Sequence, residues 1–113
     1  SVHEGPQSIR WRSAGGRETP LAPGMVTSNE PGVYFDGDYG IRLENLLLCV
    51  EKAFPTGDFL GFETLTLTPF DVDAILSEQL SPLNAYHAQV YQAIAPHLPP
   101  QEAAWLETAT RPL

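Results

Sequence analysis

Two glutamates in the first half of the chain, Glu30 and Glu44, stand on either side of the sequence Phe35-Asp36-Gly37-Asp38. An Asp-Gly pair between two β-compatible segments is a strong hairpin signal. A turn centred on Gly37 makes cross-strand partners sum to 74, which sets Glu30 opposite Glu44, Gly32 opposite Arg42 and Tyr34 opposite Gly40. Side chains alternate with period two, so Glu30, Tyr34, Arg42 and Glu44 project from one face. Carboxylates directly opposed across a ladder have Cβ atoms about 4.5 to 5.5 Å apart, and like charges there are destabilising unless something compensates. A bound cation removes the conflict. Hard divalent metals favour oxygen ligands, and two metals about 3.5 to 4 Å apart need a carboxylate that bridges them. Two glutamates at matching positions are equally the pattern of an ordinary solvent-facing ribbon, and geometry alone leaves both readings open. Pro31 cannot donate to the ladder, and a bulge there would shift the parity.

The elements that must position these residues follow from the same pattern. Strands are expected over about 25–34 and 39–50, with loops at 13–16, 20–24 and 55–58. A third strand is expected over about 62–68, where Leu65 and Leu67 alternate with threonines before Pro69. Ser81 and Pro82 then suit the N-cap and first position of a helix, and Leu83, Tyr86, Val90 and Ile94 follow at helical spacing. Pro96, Pro99 and Pro100 stop it, and a shorter helix over about 101–108 takes Trp105 as its anchor. Strands first and helices last indicate an α+β fold. The helices' apolar residues, Leu83, Tyr86, Val90, Ile94 and Trp105, are expected to meet the sheet or a second subunit, because helices of this length are marginal alone.

A chain of 113 residues suggests one core. The formal charge of -8 argues against nucleic acid as a partner, since such proteins gather Lys and Arg on one face. No apolar run is long enough to cross a bilayer as a helix, so no membrane association is expected. The one cysteine, Cys49, lies in Leu46-Leu47-Leu48-Cys49-Val50 and cannot form an internal disulfide, which suits a reducing cytoplasm. The opening Ser1-Val2-His3-Glu4-Gly5-Pro6 has no Met and reads as a strand end, so an upstream part is expected to precede it.

Longer stretches carry more specific information. Pro23-Gly24-Met25-Val26-Thr27-Ser28-Asn29-Glu30-Pro31-Gly32-Val33-Tyr34, followed by Gly40-Ile41-Arg42-Leu43-Glu44-Asn45, resembles the paired signature of the aminopeptidase P and prolidase branch of the pita-bread metallopeptidases. Val2 to Pro6 resembles the segment just after that family's metal-binding histidine. Phe62 to Pro69 and the tail from Leu83 resemble the longer, three-domain aminopeptidase P subgroup. The resemblance implies the C-terminal portion of a pita-bread fold, with 1–70 as the end of the catalytic domain and 71–113 as a helical extension packed on the same unit. It implies an Xaa-Pro aminopeptidase that uses two divalent metal ions, manganese by expectation, and acts on peptides with proline second. A homo-oligomer is a further expectation.

Residue by residue, the resemblance implies that Glu30 binds one metal and acts as general base toward the attacking water, while Glu44 bridges both metals. It makes His3 a substrate-contacting histidine that stabilises the tetrahedral intermediate, and Tyr34 and Arg42 a hydrogen-bond network around the ligands. His87 and His97 are expected to be structural. The family's two aspartates and metal-binding histidine have no counterpart here, and Asp36, Asp38 and Asp58 fall in predicted loops, so the chain alone is expected to be inactive. Rival readings are a prolidase-like dipeptidase and a non-catalytic pita-bread module that binds peptide or protein.

Overall fold

The computed structural model describes residues 5–9, 15, 19–74 and 80–113. They fall into two compact units, 1–66 and 67–113, where the chain length suggested one core. The first unit is built of strands and the second of helices, so each collects its own apolar residues.

In the first unit, β1 (Val26–Asn29), β4 (Asn45–Phe54) and β5 (Gly57–Thr64) form an antiparallel sheet in the order β1-β4-β5. The ribbon of β2 (Gly32–Tyr34) and β3 (Gly40–Arg42) continues the β1–β4 pairing toward the turn. β4 lies in the centre, which accounts for its nearly unbroken apolar run. Cys49 is its buried residue, 1% exposed.

Register is constant along the whole hairpin. Val26 pairs with Leu48 and Asn29 with Asn45 on one side of Pro31, and Gly32 pairs with Arg42 and Tyr34 with Gly40 on the other. Pro31 therefore causes no slip. The bonds from Phe35 N–H to Tyr39 O and from Cys49 N–H to Met25 O, each 2.8 Å, place odd-numbered partners in the hydrogen-bonded positions of the ladder. Pro31 and Leu43 occupy one such position, where only the Leu43 N–H to Pro31 O bond of 3.1 Å can form. The loss of a single donor interrupts the strands and leaves the register intact.

Asp38 N–H closes the turn on Phe35 O at 3.1 Å, and Gly37 has φ of 72° there. A left-handed residue at the third position is what a type II turn requires. The second hairpin departs from expectation. β4 runs four residues beyond Val50 and β5 begins at Gly57, because Pro55-Thr56 alone turns the chain and Phe54 pairs with Gly57. Asp58 is consequently a strand residue paired with Ala53, not a loop residue. After β5 ends, Leu65 N–H still bonds to Leu46 O at 2.9 Å, and Thr66 Oγ1 accepts from Leu46 N–H and donates to Asn45 Oδ1.

The second unit contains α1 (Leu80–Ile94) and α2 (Pro100–Ala109), with a 3-10 turn at Ala95–His97 between them. α1 already includes Ser81, which is thus a helical residue and not the cap. Among its described side chains Leu83, His87 and Val90 are buried, at spacings of four and three, and they form one stripe. Leu106 and Thr110 are buried from the other end of the unit. Trp105 is 64% exposed, so it does not anchor α2; Leu106, one residue on, is buried instead. Each residue step turns a helix by about 100°, enough to move a side chain from one face to the next. Asn84 pins the chain end by donating to Leu113 O at 3.2 Å and accepting from Leu113 N–H at 3.1 Å. No described helix is long and apolar enough to cross a membrane.

Candidate metal centre

Equal register on both sides of Pro31 puts Glu30 opposite Glu44. Both are even-numbered, so they form a non-hydrogen-bonded pair, the position at which opposed side chains come closest. The geometry raises the repulsion expected from sequence. Arg42 relieves it: its Nη1 lies 3.5 Å from Glu30 Oε2 and its Nε 3.2 Å from Glu44 Oε2. One guanidinium thus serves both carboxylates. Arg42 reaches them because it sits two residues before Glu44 on the same face. Ser28, two residues before Glu30, donates its hydroxyl to Glu30 Oε1 at 2.8 Å.

Tyr34 occupies that face too, with its ring laid along the ribbon. A Cβ added at Gly32 would come 2.7 Å from the Tyr34 hydroxyl, and one at Gly40 would collide with the ring. The two glycines provide the bed on which the tyrosine lies. Tyr34 remains exposed, and among the described residues the side chain that touches both carboxylates is Arg42. His3 lies outside the described residues. Ser28 was not singled out from sequence; a hydroxyl two positions from a strand glutamate was the available signal, since period two places them side by side.

Among the described residues, no group of three or more His, Cys, Asp or Glu could hold a metal ion. Asp36 and Asp38 lie in the turn and Asp58 in β5. His97 is exposed in the 3-10 turn. His87 is fully buried on α1, where its Nε2 accepts from Phe70 N–H at 3.0 Å and its Nδ1 has no hydrogen-bond partner. Burial lowers its pKa from the ordinary histidine value, so the ring is held neutral.

Comparison with known proteins identifies the family. Residues 1–51 match metallopeptidase family M24, and residues 58–113 match the C-terminal region of peptidase M24. Aminopeptidase P2 of Arabidopsis thaliana is 43% identical over the whole of this chain and 17% of its own length. A probable Xaa-Pro aminopeptidase P of Arthroderma gypseum is 43% identical over the whole of this chain and 19% of its own. The chain thus spans less than a fifth of the length of these two relatives. Among solved structures, X-prolyl aminopeptidase from Caenorhabditis elegans, described as a cytosolic enzyme with a di-nuclear active site, superposes with a TM-score of 0.77. That match is 36% identical in sequence and covers 99% of this chain and 20% of the nematode chain. The antiparallel strands followed by two helices are accordingly a C-terminal portion of the pita-bread fold. The chain belongs to metallopeptidase family M24, its residues 58–113 matching the C-terminal region of that family, and it is similar over its whole length to Xaa-Pro aminopeptidases.

Proposed function

We propose that this chain supplies the C-terminal part of a dinuclear-metal aminopeptidase that releases the N-terminal residue from peptides whose second residue is proline. The observation that carries the reading is the Glu30–Glu44 pair, two hard oxygen donors opposed at the closest position of the ladder with the Arg42 cation seated against both. A site that holds a guanidinium between two carboxylates suits divalent cations, manganese being the identity proposed. When bound, the metal pair polarises the scissile carbonyl and lowers the pKa of the attacking water.

The chain's own residues have separate tasks in this reading. Glu30 takes a proton from the attacking water and passes it toward the leaving amine. Glu44 would hold the metal pair together with Glu30. Arg42 keeps the two side chains apart and oriented, and Tyr34 stiffens the ribbon by covering Gly32 and Gly40. His3 is proposed to contact substrate near the reacting carbonyl. Residues 1–70 are taken as the end of the catalytic domain and 71–113 as its helical extension. The match of residues 58–113 to the C-terminal region of peptidase M24, together with relatives named as Xaa-Pro aminopeptidases, favours this activity over a dipeptidase. A cytosolic setting is proposed on the unpaired Cys49 and the cytosolic nematode relative, and a homodimer is the proposed assembly.

Two donors do not complete a dinuclear site, so the chain alone is predicted to show no peptidase activity and only weak metal binding. The test replaces the matching segment of Aminopeptidase P2 from A. thaliana with this chain. The chimera is expected to release the N-terminal residue from an Xaa-Pro peptide and to leave an Xaa-Ala peptide largely uncut, while the purified chain with added manganese cuts neither. Hydrolysis by the chain alone, above a Glu30→Ala control, overturns the incomplete-site reading. Efficient cleavage of the Xaa-Ala peptide overturns the specificity.

A further inference from the structure

We propose that Ser28 is a positioning residue for Glu30, an inference that rests on the reading of Glu30 as metal ligand and base. Ser28 and Glu30 lie two residues apart at the end of β1 and point from the same face. Ser28 is half-buried, and its cross-strand partner is Leu46, which offers no side-chain acceptor. Its hydroxyl turns along the strand and donates to Glu30 Oε1 at 2.8 Å. Arg42 holds the other oxygen, Oε2, at 3.5 Å, and holds Oε2 of Glu44 at 3.2 Å.

The two oxygens of Glu30 are therefore not equivalent. Oε1 is tied back to the strand by a hydrogen bond to an ionised acceptor, among the stronger kinds in proteins. Oε2 is turned to the cation it shares with Glu44. The serine thereby selects which oxygen faces the opposite carboxylate and restricts rotation of a side chain that otherwise has three rotatable bonds. A ligand and base whose orientation is set before substrate arrives loses less freedom on reaching its working geometry. The function requires a hydroxyl, so threonine satisfies it and alanine does not.

The test has two independent arms. In the isotopically labelled chain, three-bond couplings of the Glu30 side chain are expected to show one dominant rotamer, averaging in Ser28→Ala and restored in Ser28→Thr. Glu44 couplings and cross-strand contacts between Val26 and Leu48 should stay unchanged, confirming that the ladder is intact. Unchanged Glu30 couplings in Ser28→Ala, or a Ser28→Thr chain that behaves like Ser28→Ala, overturn the proposal. In the chimera, Ser28→Ala is expected to lower kcat about tenfold with KM within about twofold, and Ser28→Thr to restore it. A Ser28→Ala chimera with unchanged kcat also overturns the positioning role. Should Glu30→Gln leave the chimera fully active, the assigned role of Glu30 fails, while the coupling measurements still decide whether Ser28 orients it.

Discussion

Glu30 and Glu44 put two like charges at one rung of a ladder, and Arg42 makes that arrangement tolerable. The guanidinium and the carboxylates are partly solvated, so each ion pair on its own is worth at most about 1 kcal/mol. Removing Arg42 deletes both pairs and also exposes the repulsion they offset. Arg42→Gln is expected to lower the stability of the chain by about 1 kcal/mol at low salt, and by clearly less in about 1 M salt, where screening shortens to roughly 3 Å. Chemical denaturation at the two ionic strengths checks this; an equal loss in both would mean that Arg42 acts through packing. Much of this rung was legible in the sequence, because the Asp-Gly turn fixes the register and period two fixes the face. What the residues could not tell was the division of Glu30's oxygens between Ser28 and Arg42, which depends on rotamers and not on spacing.

At the scale of elements, α1 shows where a rule of residue type fell short. The expected stripe took Tyr86 as a core position and left out His87, which was expected only to be structural, whereas Leu83, His87 and Val90 are the buried set among the described side chains. Tyr86 is half-buried, and its hydroxyl donates to Thr68 O at 2.9 Å and accepts from Thr68 N–H at 3.2 Å. The adjacent His87 takes Phe70 N–H, so two neighbouring side chains hold the segment that precedes α1. A neutral ring with one nitrogen satisfied can replace an aliphatic residue in a core, which a scan for apolar residues does not register.

Because burial lowers the His87 pKa, the direction of the pH effect follows. Above the ordinary value of about 6.5 both folded and unfolded states are neutral and no stability is lost. As pH falls below it, the unfolded state takes up a proton that the folded ring resists, so stability decreases toward the folded pKa. Denaturation followed through the His87 ring signals should give a lower midpoint at pH 5 than at pH 7, and His87→Gln should flatten that difference. An unchanged midpoint between the two pH values would contradict the buried neutral ring.

The misplaced anchor of α2 has a similar cause. Trp105 is the largest apolar residue in the segment and attracts the assignment, yet the capped end at Thr110, whose hydroxyl donates to Leu106 O at 2.7 Å, comes with Leu106 turned inward. Leu106→Ala is expected to cost about 2 to 5 kcal/mol of the helical unit's stability, and Trp105→Ala less than about 1 kcal/mol. Thermal unfolding of both variants distinguishes them, and a larger loss from Trp105→Ala would show that the exposed indole has a partner in solution.

On the scale of the whole molecule, strands followed by helices gave the fold class, and the compact units divide at 66 and 67, four residues before the boundary at 70 and 71 that the resemblance implied. Leu65-Thr66-Leu67-Thr68 alternates as a single strand would, but β5 ends at Thr64, and Tyr86 takes both backbone groups of Thr68. Tertiary partners decided that boundary. The chain's likeness to proteins more than five times its length places its carboxylate pair within a larger catalytic protein only as a proposal. The most direct test is to count bound metal and measure Xaa-Pro turnover together in the Aminopeptidase P2 chimera and in its Glu44→Ala and Glu30→Gln variants. The account predicts that Glu44→Ala loses both bound metal and turnover, and that Glu30→Gln keeps part of the metal while turnover falls at least about a hundredfold. A Glu44→Ala chimera with full metal content and full turnover would contradict it.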